Sequence, residues 1–180
     1  MLFPRFASVL VFLASMHSAW GQDHLIGVDD FFEICGKPAS FEELAASARE
    51  NGWQKAPENR LPLFYSHFID DPIQEIELVR RFTDGDEVFA KITLAKRNGL
   101  VTRRQTECLV RVVVTSSDTA RQLQSAFAAK QKGKPQSERS VNINSDIWRR
   151  ITEGGLVAFT DEPARGDIRI VSFFRIRNGK

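Results

Sequence analysis

Histidine is the side chain best suited to acid–base catalysis near neutral pH, and the chain has three. His17 lies in an apolar N-terminal segment, and His24 follows that segment closely. His67 precedes Asp70 and Asp71, and a carboxylate beside an imidazole can orient a general base. However, neighbouring residues on a strand point to opposite faces, and the chain has no G-x-S-x-G motif. We therefore interpret His67 as a half-buried structural residue and predict no catalytic residue.

The spacing of potential metal ligands does not fit a known type of metal site. The mature chain has two separated cysteines and two separated histidines, which lack the spacing of zinc ligands. The acidic segment 84–87 is too short for a calcium loop, and no glycine-rich phosphate loop is present. The sequence predicts no metal and no cofactor. It leaves paired carboxylates for glycoside hydrolysis open, because such pairs are set in space.

Residues 1–21 have the three-part layout of a secretory signal peptide. A positive charge precedes the apolar run 7–16, and the small residues Ala19 and Gly21 suit cleavage before Gln22. Because Gln22 is not a cysteine, no lipid anchor is expected. The alternative interpretation is a buried N-terminal helix.

Cleavage after residue 21 would leave a mature chain of residues 22–180, which we predict to be a single domain. The run 7–16 is too short to span a bilayer comfortably, and no later segment is apolar enough. We therefore expect a periplasmic or secreted protein that is not inserted in the membrane once the leader is removed.

Cys35 and Cys108 are the chain's two cysteines, and an exported protein matures where thiols oxidise. A disulfide between them is the simplest hypothesis, and closing so long a loop would stabilise the fold by up to about 4 kcal/mol. The alternatives are two buried free thiols or one reactive thiol. The absence of C-x-x-C argues against a thioredoxin-like redox site.

Two helices are predicted in the first third of the chain. Apolar residues recur at i, i+3, i+4 and i+7 in the segment 27–36: Val28, Phe31, Phe32 and Cys35. The second helix begins with a capping box formed by Ser40 and Glu43. It ends at Gly52, after which Trp53 is placed to pack back on the helix.

The segment 88–114 predicts a long antiparallel hairpin. A two-residue turn at Asn98-Gly99 would set the apolar face of one strand against polar residues of the other. A loop of three or five residues brings the two apolar faces together. The three-residue loop would pair Val88 with Val110 and Ala90 with Cys108. In either case Cys108 points to the core.

Other segments are less clearly defined. A short strand is possible at 63–69, and helix and strand stay open for 72–82 and 145–152. A helix is predicted from a cap at 115–118 to about residue 131, then a polar loop at 132–140. Strands at 156–160 and 168–176 are joined by a turn at 162–166. This order predicts an α+β fold, an antiparallel sheet with helices packed on one face.

Composition limits the expected partners. The 180 residues are 42% hydrophobic and carry a formal net charge of +2, without a clustered basic patch. Nucleic acid is therefore not an expected partner. An envelope protein or a small apolar ligand fits the expected location better.

The chain resembles small exported bacterial proteins that have no assigned activity. The resemblance rests on F-F-x-x-C ending at Cys35, Gly52-Trp53 after a capped helix, and a lone mid-chain Cys108. It implies export and a shared fold, and no catalytic residue. The sequence thus favours a non-catalytic binding or interaction module over its alternative, a small periplasmic hydrolase or envelope-processing enzyme.

Overall fold

A computed structural model describes residues 26–36, 39–57, 72–82, 85–97, 103–139, 143–150, 155–165 and 167–178. The predicted leader, all three histidines and the possible strand at 63–69 lie outside these residues. The described elements are α1 (Ile26–Ile34), α2 (Phe41–Glu50), β1 (Gln54–Lys55), β2 (Pro72–Arg81), β3 (Glu87–Arg97), β4 (Arg103–Val114), α3 (Ser117–Ala129), β5 (Gln136–Arg139), β6 (Asn144–Arg150), β7 (Gly155–Arg165) and β8 (Ile168–Asn178).

All eight strands form one antiparallel sheet in the order β1-β2-β3-β4-β8-β7-β6-β5. Two successive units of the described chain build it: the first has two helices followed by four strands, and the second has one helix followed by four strands. The last strands of the two units, β4 and β8, pair at the centre, where Val110 lies opposite Phe173. The fold is therefore α+β with an antiparallel sheet, as predicted.

Helix α2 forms as its sequence predicts. The Ser40 hydroxyl accepts the Glu43 amide at 3.2 Å, and the Glu43 carboxylate accepts the Ser40 amide at 2.7 Å. At the other end, Gly52 has φ +81° and the Trp53 amide donates to the Ala48 carbonyl. This is a Schellman motif, and its positive φ favours glycine. Helix α3 begins similarly, with Ser116 accepting the Thr119 amide.

The hairpin β3–β4 brings two apolar faces together, and its register leaves five residues between the paired Arg97 and Arg103. Val88 lies opposite Val112 and Ala90 opposite Val110. The prediction of a three- or five-residue loop is confirmed, but the pairing given for the shorter loop is wrong by two residues. Burial decides the face, and faces repeat every two residues, so burial alone does not choose between these lengths.

Four other predicted segments are now defined or corrected. Residues 72–81 are strand, not helix, because they pair with β3 along their length. Residues 144–150 are also strand, paired with β7. The polar segment 132–140 is not entirely loop, since Gln136–Arg139 forms the edge strand β5. Strand β7 runs to Arg165, so the turn to β8 is tighter than the predicted turn at 162–166.

One core cluster contains residues from all three helices and from the sheet. Phe127 of α3 lies at its centre, with its ring centroid 5.2 Å from that of Phe31 and 5.1 Å from that of Phe173. A separate buried cluster on the sheet includes Leu109 and Phe174. In the part of the chain that is described, no helix is long and apolar enough to cross a bilayer.

The predicted disulfide between Cys35 and Cys108 is present. Cys35 follows the last residue of α1, and Cys108 lies in β4 opposite Ile92. Both cysteines are buried in the main core cluster. The bond therefore attaches the end of α1 to the middle of the sheet.

Candidate functional site

A cleft with a volume of about 410 Å³ lies where four elements end or begin. The start of α1, the start of β3, the end of β4 and the start of α3 meet there. Its lining residues are Ile26, Gly27, Gly85, Asp86, Glu87, Val88, Phe89, Val112, Val113, Val114, Thr115, Thr119 and Leu123. This volume is in the range of small-molecule sites.

The floor of the cleft is apolar because two adjacent strands place valines there. Val88 and Val112 are paired across β3 and β4, and both are buried. Helix α1 approaches this floor closely at Gly27, where an added Cβ would lie 2.6 Å from a methyl group of Val112. The short distance between α1 and the sheet therefore favours glycine at position 27.

The charged groups that line the cleft are carboxylates. Asp86 and Glu87 are among its lining residues, and none of the described lining residues is Lys or Arg. Glu87 also pairs with Arg81 at 2.8 Å, and the backbone carbonyl of Asp86 accepts the Phe82 amide at 2.9 Å. Because Arg81 offsets the charge of Glu87, the described lining offers an anion no cationic partner and is compatible with a neutral or cationic ligand.

A buried carboxylate lies one helical turn from the cleft. Asp30 of α1 is 3% exposed, and its Oδ1 atom is 2.9 Å from Nη1 of Arg80 on β2. The same nitrogen is 2.8 Å from Oε2 of Glu33. Burial raises the pKa of Asp30 from 3.8 to about 6, because Arg80 offsets the loss of solvation only in part.

A second cavity of about 300 Å³ lies at the start of α2 and includes Arg104 and Arg177. Its charge is mixed, because Glu42 also lines it. The hydrogen bond that the Ser40 amide donates to the Glu43 carboxylate lowers the pKa of Glu43. The Ser40 hydroxyl accepts the Glu43 amide, so the helix start is already occupied. This cavity is therefore a poorer candidate for an anion than its two arginines suggest.

Other charged clusters have structural partners. Asp146 of β6 accepts hydrogen bonds from Ser137, Gln124 and Arg139, which tie β5 and α3 to β6. Asp161 and Arg169 form a two-bond ion pair across β7 and β8, at 2.6 and 2.8 Å. Because these side chains are hydrogen-bonded or ion-paired within the protein, their burial does not require a ligand.

Of the residues singled out from the sequence, the structure brings one pair together: Cys35 and Cys108 form a disulfide. Within the described residues, no group of three or more His, Cys, Asp or Glu side chains could hold a metal ion. His67 and His24 lie outside these residues, so their predicted roles stay predictions. The sequence analysis did not single out Asp30. Its position one helical turn before the apolar Ile34, on the same side of α1, was the available signal.

Comparison of the chain with protein-family models, with curated proteins and with solved structures finds no match in any of the three.

Proposed function

We propose that this chain is an exported, non-catalytic binding protein whose cleft takes a small apolar ligand that is neutral or positively charged. The observation that carries the proposal is the cleft at the start of α1. It has the size of a ligand site, a floor of buried valines and charged lining groups of one sign. In this proposal the three helices cover one face of the sheet and α1 forms one wall of the cleft.

Export is the second part of the proposal. It is supported by the layout of residues 1–21 and by the disulfide between Cys35 and Cys108, since such bonds persist mainly in oxidising compartments. The resemblance to small exported bacterial proteins agrees with it. No observation among the described residues supports the alternative, an exported hydrolase.

Ligand class is tested with three probes that differ in charge. N-phenyl-1-naphthylamine is a neutral fluorophore, and decyltrimethylammonium and decanoate are a cation and an anion that each carry a ten-carbon chain. We expect saturable fluorescence enhancement by the neutral probe and its displacement by the cation at lower concentration than by the anion. The absence of saturable binding, or tighter binding of decanoate, would contradict the proposal.

The site is located with two matched tryptophan variants. Ile26 lines the cleft from the first turn of α1 and is half-buried, whereas Ile73 lies at the start of β2, outside the cleft lining, and is 44% exposed. I26W should reduce the affinity for the neutral probe by about tenfold or more, because the indole occupies ligand volume. I73W should leave it unchanged. Equal effects of the two variants would place the binding site elsewhere.

Export is tested by mass spectrometry of the protein from a bacterial host. The expected species begins at Gln22 and comes from the periplasmic fraction, with both cysteines protected from alkylation until reduction. Full-length cytosolic protein that retains residues 1–21 would overturn this part of the proposal and leave the ligand test unaffected.

A further inference from the structure

Both cysteines of the disulfide are shielded from solvent. Cys35 is 0% exposed and Cys108 is 2% exposed, and both belong to the main core cluster. Thiol–disulfide exchange requires the sulfur of an incoming thiolate to reach a sulfur of the bond and form a mixed disulfide. A close-packed protein interior has no room for such a reagent. The bond can therefore be made or broken only in a state in which the core around it is open.

The sheet closes one side of the bond. Cys108 lies in the middle of β4, which is paired along most of its length with β3 on one side and with β8 on the other. On the opposite face of β4, the flanking residues Glu107 and Leu109 are buried as well. Access to the sulfur from this side would require central strands to separate, and such strands belong to the most stable part of a fold.

The helices α1 and α2 close the other side of the bond. Cys35 directly follows α1, and its amide donates to the Phe31 carbonyl at 2.7 Å. Phe31 of α1 and Leu44 of α2 belong to the same core cluster as both cysteines, and Arg175 of β8 donates to the carbonyl of Gly36 between the two helices. Because α1 and α2 are not strands of the sheet, they can leave it without breaking the hydrogen bonds between its strands. Their undocking is therefore the smaller of the two openings.

We infer that the disulfide exchanges through a state in which the sheet is paired and α1 and α2 are undocked, so that a disulfide-bearing partner acts on this chain before these helices dock. First, one cysteine thiolate of the chain attacks the partner's disulfide, which gives a mixed disulfide and releases one thiolate of the partner. The other cysteine thiolate then displaces the second sulfur of the partner and closes the bond between Cys35 and Cys108. The chain loses two electrons and two protons, and the partner's disulfide becomes two thiols.

Once α1 and α2 have docked, the same packing protects the bond from reductants. The bond then acts as a permanent tether and not as a redox switch. Reduction and oxidation need the same access to the sulfurs, so the route can be measured in either direction. The reductive direction starts from the native oxidised protein and does not depend on the ligand proposed for the cleft.

The oxidised protein is incubated with excess dithiothreitol, and free thiols are counted by alkylation and mass spectrometry. The bond should be reduced about 100-fold or more slowly in the native state than in the urea-unfolded state. Below the unfolding transition, the logarithm of the reduction rate should rise with urea less steeply than global unfolding does, because undocking two helices exposes less surface than unfolding the whole domain. Equal rates in the native and unfolded states, or a urea dependence equal to that of global unfolding, would overturn the inference.

Two matched variants locate the opening. Phe31 of α1 and Phe174 of β8 are both buried, but Phe31 belongs to the cluster between the helices and the sheet, whereas Phe174 belongs to the separate cluster on the other face. F31L should accelerate reduction by about fivefold or more, because it weakens the docking of α1. F174L should change the rate by less than about twofold, because its surroundings stay intact when the helices undock. Equal acceleration by the two variants, or none by F31L, would overturn the inference.

Discussion

Cys35 at the end of α1 is bonded to Cys108 in β4, and the two Cα atoms are 5.6 Å apart across 73 residues of sequence. The bond lies within the main core cluster and joins the first helix to a central strand of the sheet. It restricts the conformations that the unfolded chain can adopt. In the folded state it restrains the wall of the cleft that α1 forms. Both effects can be measured.

Reduction of this disulfide should lower the free energy of unfolding by up to about 4 kcal/mol, because the closed loop is long. The measurement is urea unfolding of the wild type with and without dithiothreitol. The double variant C35A/C108A should be insensitive to the reductant, which controls for direct effects of the reagent. An unchanged midpoint for the wild type on reduction would contradict the prediction.

Gly27→Ala should destabilise the protein by about 1–3 kcal/mol, because the new Cβ would overlap Val112 in a packed interface. The gain in helix propensity opposes this by at most about 1 kcal/mol. Chemical denaturation of G27A, V112A and G27A/V112A gives the coupling between the two positions. The cost of G27A should largely disappear when Val112 is already Ala. Equal costs in both backgrounds would show that the close approach is not the cause.

Stability of the wild type should fall as the pH rises from about 4 to about 6, because folded Asp30 binds a proton more tightly than unfolded Asp30. The ionised group costs up to about 3 kcal/mol, a cost that is absent below the unfolded pKa and complete above the folded one. D30N should lack this component, and D118N should keep it. Urea unfolding at a series of pH values provides the measurement, and parallel curves for wild type and D30N would contradict it.

The sequence was sufficient where local signals and burial agree. The cap of α2, the apolar faces of β3 and β4 and the inward direction of Cys108 all follow from residue types at fixed spacings. It was insufficient for residues 72–81, where apolar residues fit both periods and the pairing with β3 decides. It was also insufficient for β5, whose four polar residues form a strand because β6 offers an edge.

The candidate site was harder to predict than the fold. Its lining comes from the ends of four elements, and Gly27, Glu87 and Val112 are far apart in sequence. Asp30 could be assigned to a helix first turn, but its burial depends on Arg80, 50 residues away. The spacing of residues along one helix indicates which face of that helix is buried. It does not reveal which side chain from another element will contact that face.

Asp146 should show the opposite pH dependence from Asp30. Burial raises its pKa, but hydrogen bonds from Ser137, Gln124 and Arg139 lower it further, so the net pKa is below 3.8. The folded state therefore binds this proton less tightly than the unfolded state, and the stabilisation is present above the unfolded pKa and lost as the pH falls through the folded one. D146N should cost about 1–3 kcal/mol at pH 7, because its amide faces donors that the carboxylate satisfied.

Urea unfolding of D146N and wild type between pH 3 and pH 7 separates this effect from a general loss of packing. The difference between the two proteins should be constant from pH 5 to pH 7 and should narrow below about pH 4, where the unfolded wild type begins to take up a proton that the folded carboxylate binds less tightly. E138Q removes an exposed charge from the edge strand β5, which pairs with β6, and should leave stability nearly unchanged. If D146N and wild type differ equally at pH 3 and pH 7, the loss comes from shape and not from the charge of Asp146, and the three donors do not hold α3 and β5 to β6 through an ionised carboxylate.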